Sequence, residues 1–160
     1  MTSLRHPRHA QSGSFLLEAL IGILIFSFGI LGIVGLQAQA IRFTNDSQYR
    51  GEAIYLANTL LASMWADDRA TLKAKYEGVS GTGGAGYTAW YNTFKTGATA
   101  LPGAVANPPT VLVDSAVAGA MVAPSTTSSA IQITVFWQLP GEPAGQAPHR
   151  YVTSGIVAKN

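Results

Sequence analysis

Gly13, Ser14 and Glu18, near the start of the chain, have the types and spacing on which chemistry can act. Glu18 is the only charge in the apolar run Ser14 to Leu36, SFLLEALIGILIFSFGILGIVGL, which is long enough to cross a bilayer as a helix of roughly 20 residues. A carboxylate in such a run costs about 2.5 to 3.5 kcal/mol on insertion scales and is tolerated mostly where it has a partner. Gly13 immediately precedes the run and is the only glycine ahead of it, so cleavage after it would leave Ser14 first and Glu18 fifth. A secretory signal is instead cut after its apolar region. Here Gln37, Ala38, Gln39 and Ala40 read as a continued helix rather than a processing site.

Other chemistry is poorly supplied. His6 and His9 precede the run, leaving His149 in a proline-flanked turn, where solvation is the simplest reading. Asp67 and Asp68 are adjacent on an expected helix and point in different directions, as on a solvated face rather than in an acid/base pair. Gly81, Gly83 and Gly86 match G-x-G-x-x-G formally, but a dinucleotide fingerprint needs a preceding strand, and a long helix is expected here. The segment Glu77 to Gly86 therefore reads as a flexible loop. No catalytic constellation, metal cluster or cofactor motif is found, so an enzyme is not expected.

Composition sets further bounds. One hundred and sixty residues leave room for an anchor and one compact domain. Of ten basic residues, Arg5 and Arg8 lie ahead of the run, so Ser14 to Asn160 holds eight against eight acidic ones. That balance gives no reason to expect a nucleic-acid surface. With no cysteine, no disulfide can form. The arginines of the leading segment, without an acidic residue, place that end in the cytoplasm by the positive-inside rule.

These residues must be positioned by a long helix. No proline occurs between Pro7 and Pro102, and Tyr49, Ala53, Leu56, Leu60 and Met64 recur at spacings of three and four. One helix is predicted from Ser14 to about Lys75, roughly 90 Å at 1.5 Å per residue. Its first half is apolar all round and its second half amphipathic. Gly29, Gly32 and Gly35, with Gly22, either soften the first half or allow close helix packing in the membrane.

Beyond the helix, Tyr87, Trp90, Tyr91 and Phe94 form a stripe suited to docking a short helix on the long one. Thr96 to Ser129 reads as an irregular connection, with Thr110 to Val113 a possible strand. Ile131, Ile133, Val135, Trp137 and Leu139 alternate with Gln132, Thr134, Phe136 and Gln138, and Arg150 to Val157 follows the turn Pro140 to Pro148. The expectation is α+β: a long N-terminal helix packed on a small antiparallel sheet whose hairpin spans 131–157 and whose third strand is near Val111.

Gly13-Ser14-Phe15-Leu16-Leu17-Glu18 followed by an apolar run resembles the processing site of type IV prepilins, and the first third of the chain is most similar to the minor pilins of the type IV pilus modification protein PilV family. The resemblance implies a leader 1–13, an assembly and transmembrane helix 14–36 and a periplasmic pilin-like domain 37–160. It implies cleavage by prepilin peptidase between Gly13 and Ser14, N-methylation of Ser14, and a register-setting role for Glu18. It makes Gly29, Gly32 and Gly35 a candidate soft segment on assembly. The implied function is a minor pilin that primes type IV pilus assembly, and hence adhesion and twitching motility, with other minor pilins, the major pilin and the assembly platform at the inner membrane. A minor pseudopilin of a type II secretion system is the near alternative. A permanently anchored periplasmic binding protein, using the aromatic stripe as a cleft, is an alternative of another class.

Overall fold

The computed structural model describes residues 12–114, 127–143 and 145–158. Residues 1–11 of the expected leader, 115–126 of the expected connection and residue 144 of the expected turn lie outside the described residues. The chain is α+β, with a long N-terminal helix, α1 (Ser12–Trp65), packed against a five-stranded antiparallel sheet. It divides into two compact units, Met1–Phe43 and Thr44–Asn160.

In the first unit, α1 is continuous from Ser12 and every side chain described from Ser14 to Phe43 is exposed. Phe15, Phe26, Phe28, Leu31 and Leu36 are each at least 65% exposed, a degree of apolar exposure that water does not stabilise. This is a helix long and apolar enough to cross a membrane.

In the second unit, α1 buries one stripe. Ala53, Leu56, Ala57, Leu60, Leu61 and Met64 are at most 8% exposed and follow the helical period, and Tyr49 packs beside them. The helix ends at Trp65, ten residues before the expected Lys75. Two aspartates explain the difference. The Asp68 side chain accepts from the Ala70 amide at 3.0 Å and caps a 3-10 turn, Arg69–Thr71, which leads into α2 (Leu72–Tyr76). Asp67 accepts from Lys75 Nζ and from the Tyr76 hydroxyl, closing the break on itself. Leu72 and Tyr76 are thereby turned into the core.

The glycine-rich segment is not a flexible loop. It forms the hairpin of β1 (Gly78–Val79) and β2 (Thr82–Gly83) at the edge of the sheet. Ser80 and Gly81 both have positive φ, 55° and 82°, as a two-residue turn with right-handed twist requires. A Cβ at Gly78 would lie 2.5 Å from the Tyr87 ring, so glycine is needed there for close approach. The Ser80-Gly81 turn is local, whereas the need for glycine at 78 is tertiary and comes from the Tyr87 ring.

The helix α3 (Ala85–Lys95) carries Tyr87, Trp90, Tyr91 and Phe94, all buried as expected. Their rings meet edge to face or tilted, with Trp90 and Phe94 centroids 4.9 Å apart. Three polar tips reach backbone carbonyls: Tyr87 to Pro109 at 2.7 Å, Trp90 to Leu56 at 3.0 Å and Tyr91 to Ala104 at 2.8 Å. These bonds fix the irregular stretch after α3, in which Leu101 and Ala104 are buried.

The sheet order is β2-β1-β3-β4-β5, with β3 (Thr110–Val113), β4 (Ser128–Trp137) and β5 (His149–Ala158). The expected third strand near Val111 is β3, pairing Val111 with Ile133 and, across its other edge, with Gly78. Along β4, Ser129, Ile131, Ile133, Val135 and Trp137 are buried in strict alternation. Gly155 of β5 lets the sheet approach Leu61 of α1, since an added Cβ would lie 3.1 Å from its Cδ1.

Candidate functional site

Gly13 is the second residue of α1, and Ser14 and Glu18 follow one turn apart on the same helix face. Both side chains are exposed, and no ion pair to Glu18 is present among the described residues. The next charge along the helix after Glu18 is Arg42. Between them, the Ser27 hydroxyl donates to the Ile23 carbonyl at 2.7 Å, so this polar group presents no free donor to an apolar surrounding. At Gly22, Gly29, Gly32 and Gly35 an added Cβ would meet nothing within 4 Å, so packing within the chain does not require glycine at any of them. The helix is unbroken through all four. A surface of this composition can insert into lipid or pack against like helices, and it presents one carboxylate for a cation to meet.

The remaining candidates resolve into structure. Gly81 forms the turn, Gly83 lies on β2, and a Cβ on Gly86 would strike the Tyr76 ring, so the three glycines serve close packing rather than a phosphate cradle. Asp67 and Asp68 lie in the break after α1 instead of on a helix face. The Lys75 and Tyr76 hydrogen bonds hold the Asp67 carboxyl below its ordinary pKa, and burial together with the Asp67 bond pushes the Tyr76 phenol up. The four rings of α3 are at most 8% exposed. A shallow recess of about 190 Å³ beside Gln48, Tyr49, Glu52 and Thr99 offers one carboxylate and no basic residue. No group of three metal-ligating side chains occurs among the described residues.

His149 departs from the reading as a solvated turn residue. It begins β5, with Nδ1 3.3 Å from Asp46 Oδ1 and Nε2 2.7 Å from Glu142 Oε1. Asp46 also accepts from Trp137 Nε1 at 3.1 Å, and Glu142 from the Leu139 amide at 3.0 Å. The His149 hydrogen bond holds the Glu142 carboxyl below its ordinary pKa. Nothing local in the sequence marks this cluster, because Asp46 and Trp137 are 91 positions apart. Neither a family model nor a curated protein nor a solved structure matches this chain.

Proposed function

We propose that the chain is a minor pilin that takes part in priming type IV pilus assembly. The observation that carries this reading is Glu18, the sole charge from Ser14 to Ile41 on the exposed apolar stretch of α1, five residues after Gly13. Prepilin peptidase would cut between Gly13 and Ser14 and methylate the new amine, which keeps its positive charge. The Glu18 carboxylate of one subunit then pairs with the Ser14 amine of a neighbour. In a low-dielectric bundle such a pair is geometry-dependent, and removing one partner costs about 3 to 5 kcal/mol. It thus sets axial register between stacked helices. The exposed glycines at 29, 32 and 35 suit either close contact or local softening of that helix.

In this reading the chain waits in the inner membrane as a single-pass protein, its second unit in the periplasm, and enters the pilus with other minor pilins and the major pilin through the assembly platform. The test is intact-mass analysis with N-terminal sequencing of protein recovered from its native membrane. A start at Ser14 with the added mass of one methyl group is expected. An uncut Met1 start in a strain with active peptidase would overturn the proposal. Loss of secretion with normal pili on gene deletion would assign the same chemistry to a type II secretion pseudopilin.

A further inference from the structure

His149 lies directly opposite Trp137 in the β4–β5 ladder, and its ring stacks on the indole with centroids 5.7 Å apart and planes 22° from parallel. Each nitrogen of the imidazole faces a carboxylate from a different element: Asp46 from α1, and Glu142 from the connection between β4 and β5. The carboxylates meet opposite ring nitrogens, so they do not converge on a metal position. Other ionisable groups stand nearby along the chain. Arg50, one turn beyond Asp46, and Arg150, on the outer face of β5, are exposed, while Tyr151 shares the inner face of β5 with His149 and is half-buried. Among the described residues none of these three bonds to Asp46 or Glu142.

We propose that His149, Asp46 and Glu142 form a proton-operated latch that clasps the β4–β5 connection to α1. A charged imidazole donates from both nitrogens, whereas a neutral one has a single N–H and a lone pair. With the ring charged, both carboxylates are satisfied and the connection, β5 and α1 are tied at one point. With the ring neutral, one carboxylate oxygen must face a lone pair. The geometry decides which. The Nε2 contact to Glu142 is the shorter at 2.7 Å, whereas Asp46 retains the Trp137 N–H when His149 withdraws. The neutral ring therefore keeps its proton on Nε2 and releases Asp46, so the latch opens on the side of α1. Asp46 is the third residue of the second unit, and release there loosens the stretch of α1 that follows the apolar segment. The latch is independent of the pilin proposal.

The test is a double-mutant cycle on the full chain in detergent, with His149→Gln, Asp46→Asn and the double variant melted at pH 5.5 and 8.5. The expected result is a coupling of about 2 to 4 °C in Tm at pH 5.5 that vanishes at pH 8.5. Equal coupling at both pH values, or none at either, overturns the latch. Amide exchange on the unmodified chain removes dependence on the variants folding. After correction for intrinsic rates, peptides covering 44–50 are expected to exchange at least about threefold faster at pH 8.5 than at pH 5.5, relative to β4 peptides. An unchanged ratio overturns the proposal.

Discussion

Trp90 of α3 donates its indole N–H to the Leu56 carbonyl of α1 at 3.0 Å, joining two helices through a side chain that is 8% exposed. The bond makes α3 a keystone. Tyr87 and Tyr91 on the same helix hold the carbonyls of Pro109 and Ala104, so one short helix ties α1, the approach to β3 and the intervening connection together. Each ring buries apolar area while its polar tip is satisfied, the arrangement in which aromatic burial stabilises most.

Trp90→Phe keeps most of the buried ring and loses the bond to Leu56. It is expected to cost about 1 to 2 kcal/mol, and Trp90→Ala about 3 to 5 kcal/mol through the cavity it leaves. Urea unfolding of the three proteins followed by far-ultraviolet circular dichroism checks the order. Equal costs would mean that the ring contributes little beyond its N–H.

Two glycines predict opposite outcomes for the same substitution. A Cβ on Gly84 would collide with the Ala74 and Lys75 carbonyl oxygens, whereas one on Gly51 meets nothing within 4 Å on the exposed face of α1. Gly84→Ala is expected to lower stability by more than about 2 kcal/mol, because backbone must move. Gly51→Ala is expected to raise it by about 0.5 to 1 kcal/mol, as in any open helix interior. Thermal melts of both variants provide the comparison.

What the sequence made legible follows the range of the forces involved. The apolar run from Ser14, the stripe through Leu56 and Leu60 and the alternation from Ile131 to Trp137 are local periodicities, and the chain adopts each of them. The end of α1 was hidden because neither proline nor glycine marks it, and Asp67 and Asp68 act through groups two to nine residues away. The β1–β2 hairpin was hidden because Gly78 and Gly83 answer to the Tyr87 ring. The partners of His149 come from α1 and from the far side of a turn, so no local pattern distinguishes it from a solvated turn residue. Gly13, Ser14 and Glu18 stood out because their pattern is wholly local.

Acid is expected to weaken the fold through Asp67 and Glu142, whose pKa values are held low by Lys75 with Tyr76 and by His149 respectively. A carboxyl with a lowered folded pKa contributes fully above its unfolded value and loses that contribution as pH falls through the folded one. The window therefore lies below about pH 4.5. Asp67→Asn and Glu142→Gln are expected to lower Tm at pH 6 and to approach the parent progressively as pH falls below about 4.5. Curves that remain parallel would show that the ion pairs do not govern acid stability.

At the alkaline end, burial pushes Tyr87 up to about 12, and its hydroxyl donates to the Pro109 carbonyl at 2.7 Å. An unfolded tyrosine ionises near about 10. The folded phenol thus contributes fully below that value, and its contribution is lost as pH rises through 12. Tyr87→Phe is expected to cost about 1 kcal/mol at neutral pH, since it leaves a buried carbonyl without its donor. It is also expected to flatten the fall in Tm between pH 10 and 12. A variant that falls as steeply as the parent would assign alkaline loss to other groups.

The division at Phe43 predicts that the second unit stands alone in water. Its core stripe on α1 begins at Tyr49, so a fragment starting at Thr44 retains every buried residue among those described, along with the Asp46 bonds to Trp137 and His149. It loses the apolar side chains of the first unit, from Phe15 to Phe43, which are exposed and find no cover within their own unit. The fragment is expected to elute as a monomer without detergent and to melt cooperatively, while the full chain requires detergent or lipid. The structural reason is that α1 changes character between the two units, from exposed on every side to buried on one stripe. A fragment that aggregated, or melted without cooperativity, would show that the folded unit depends on α1 before Thr44.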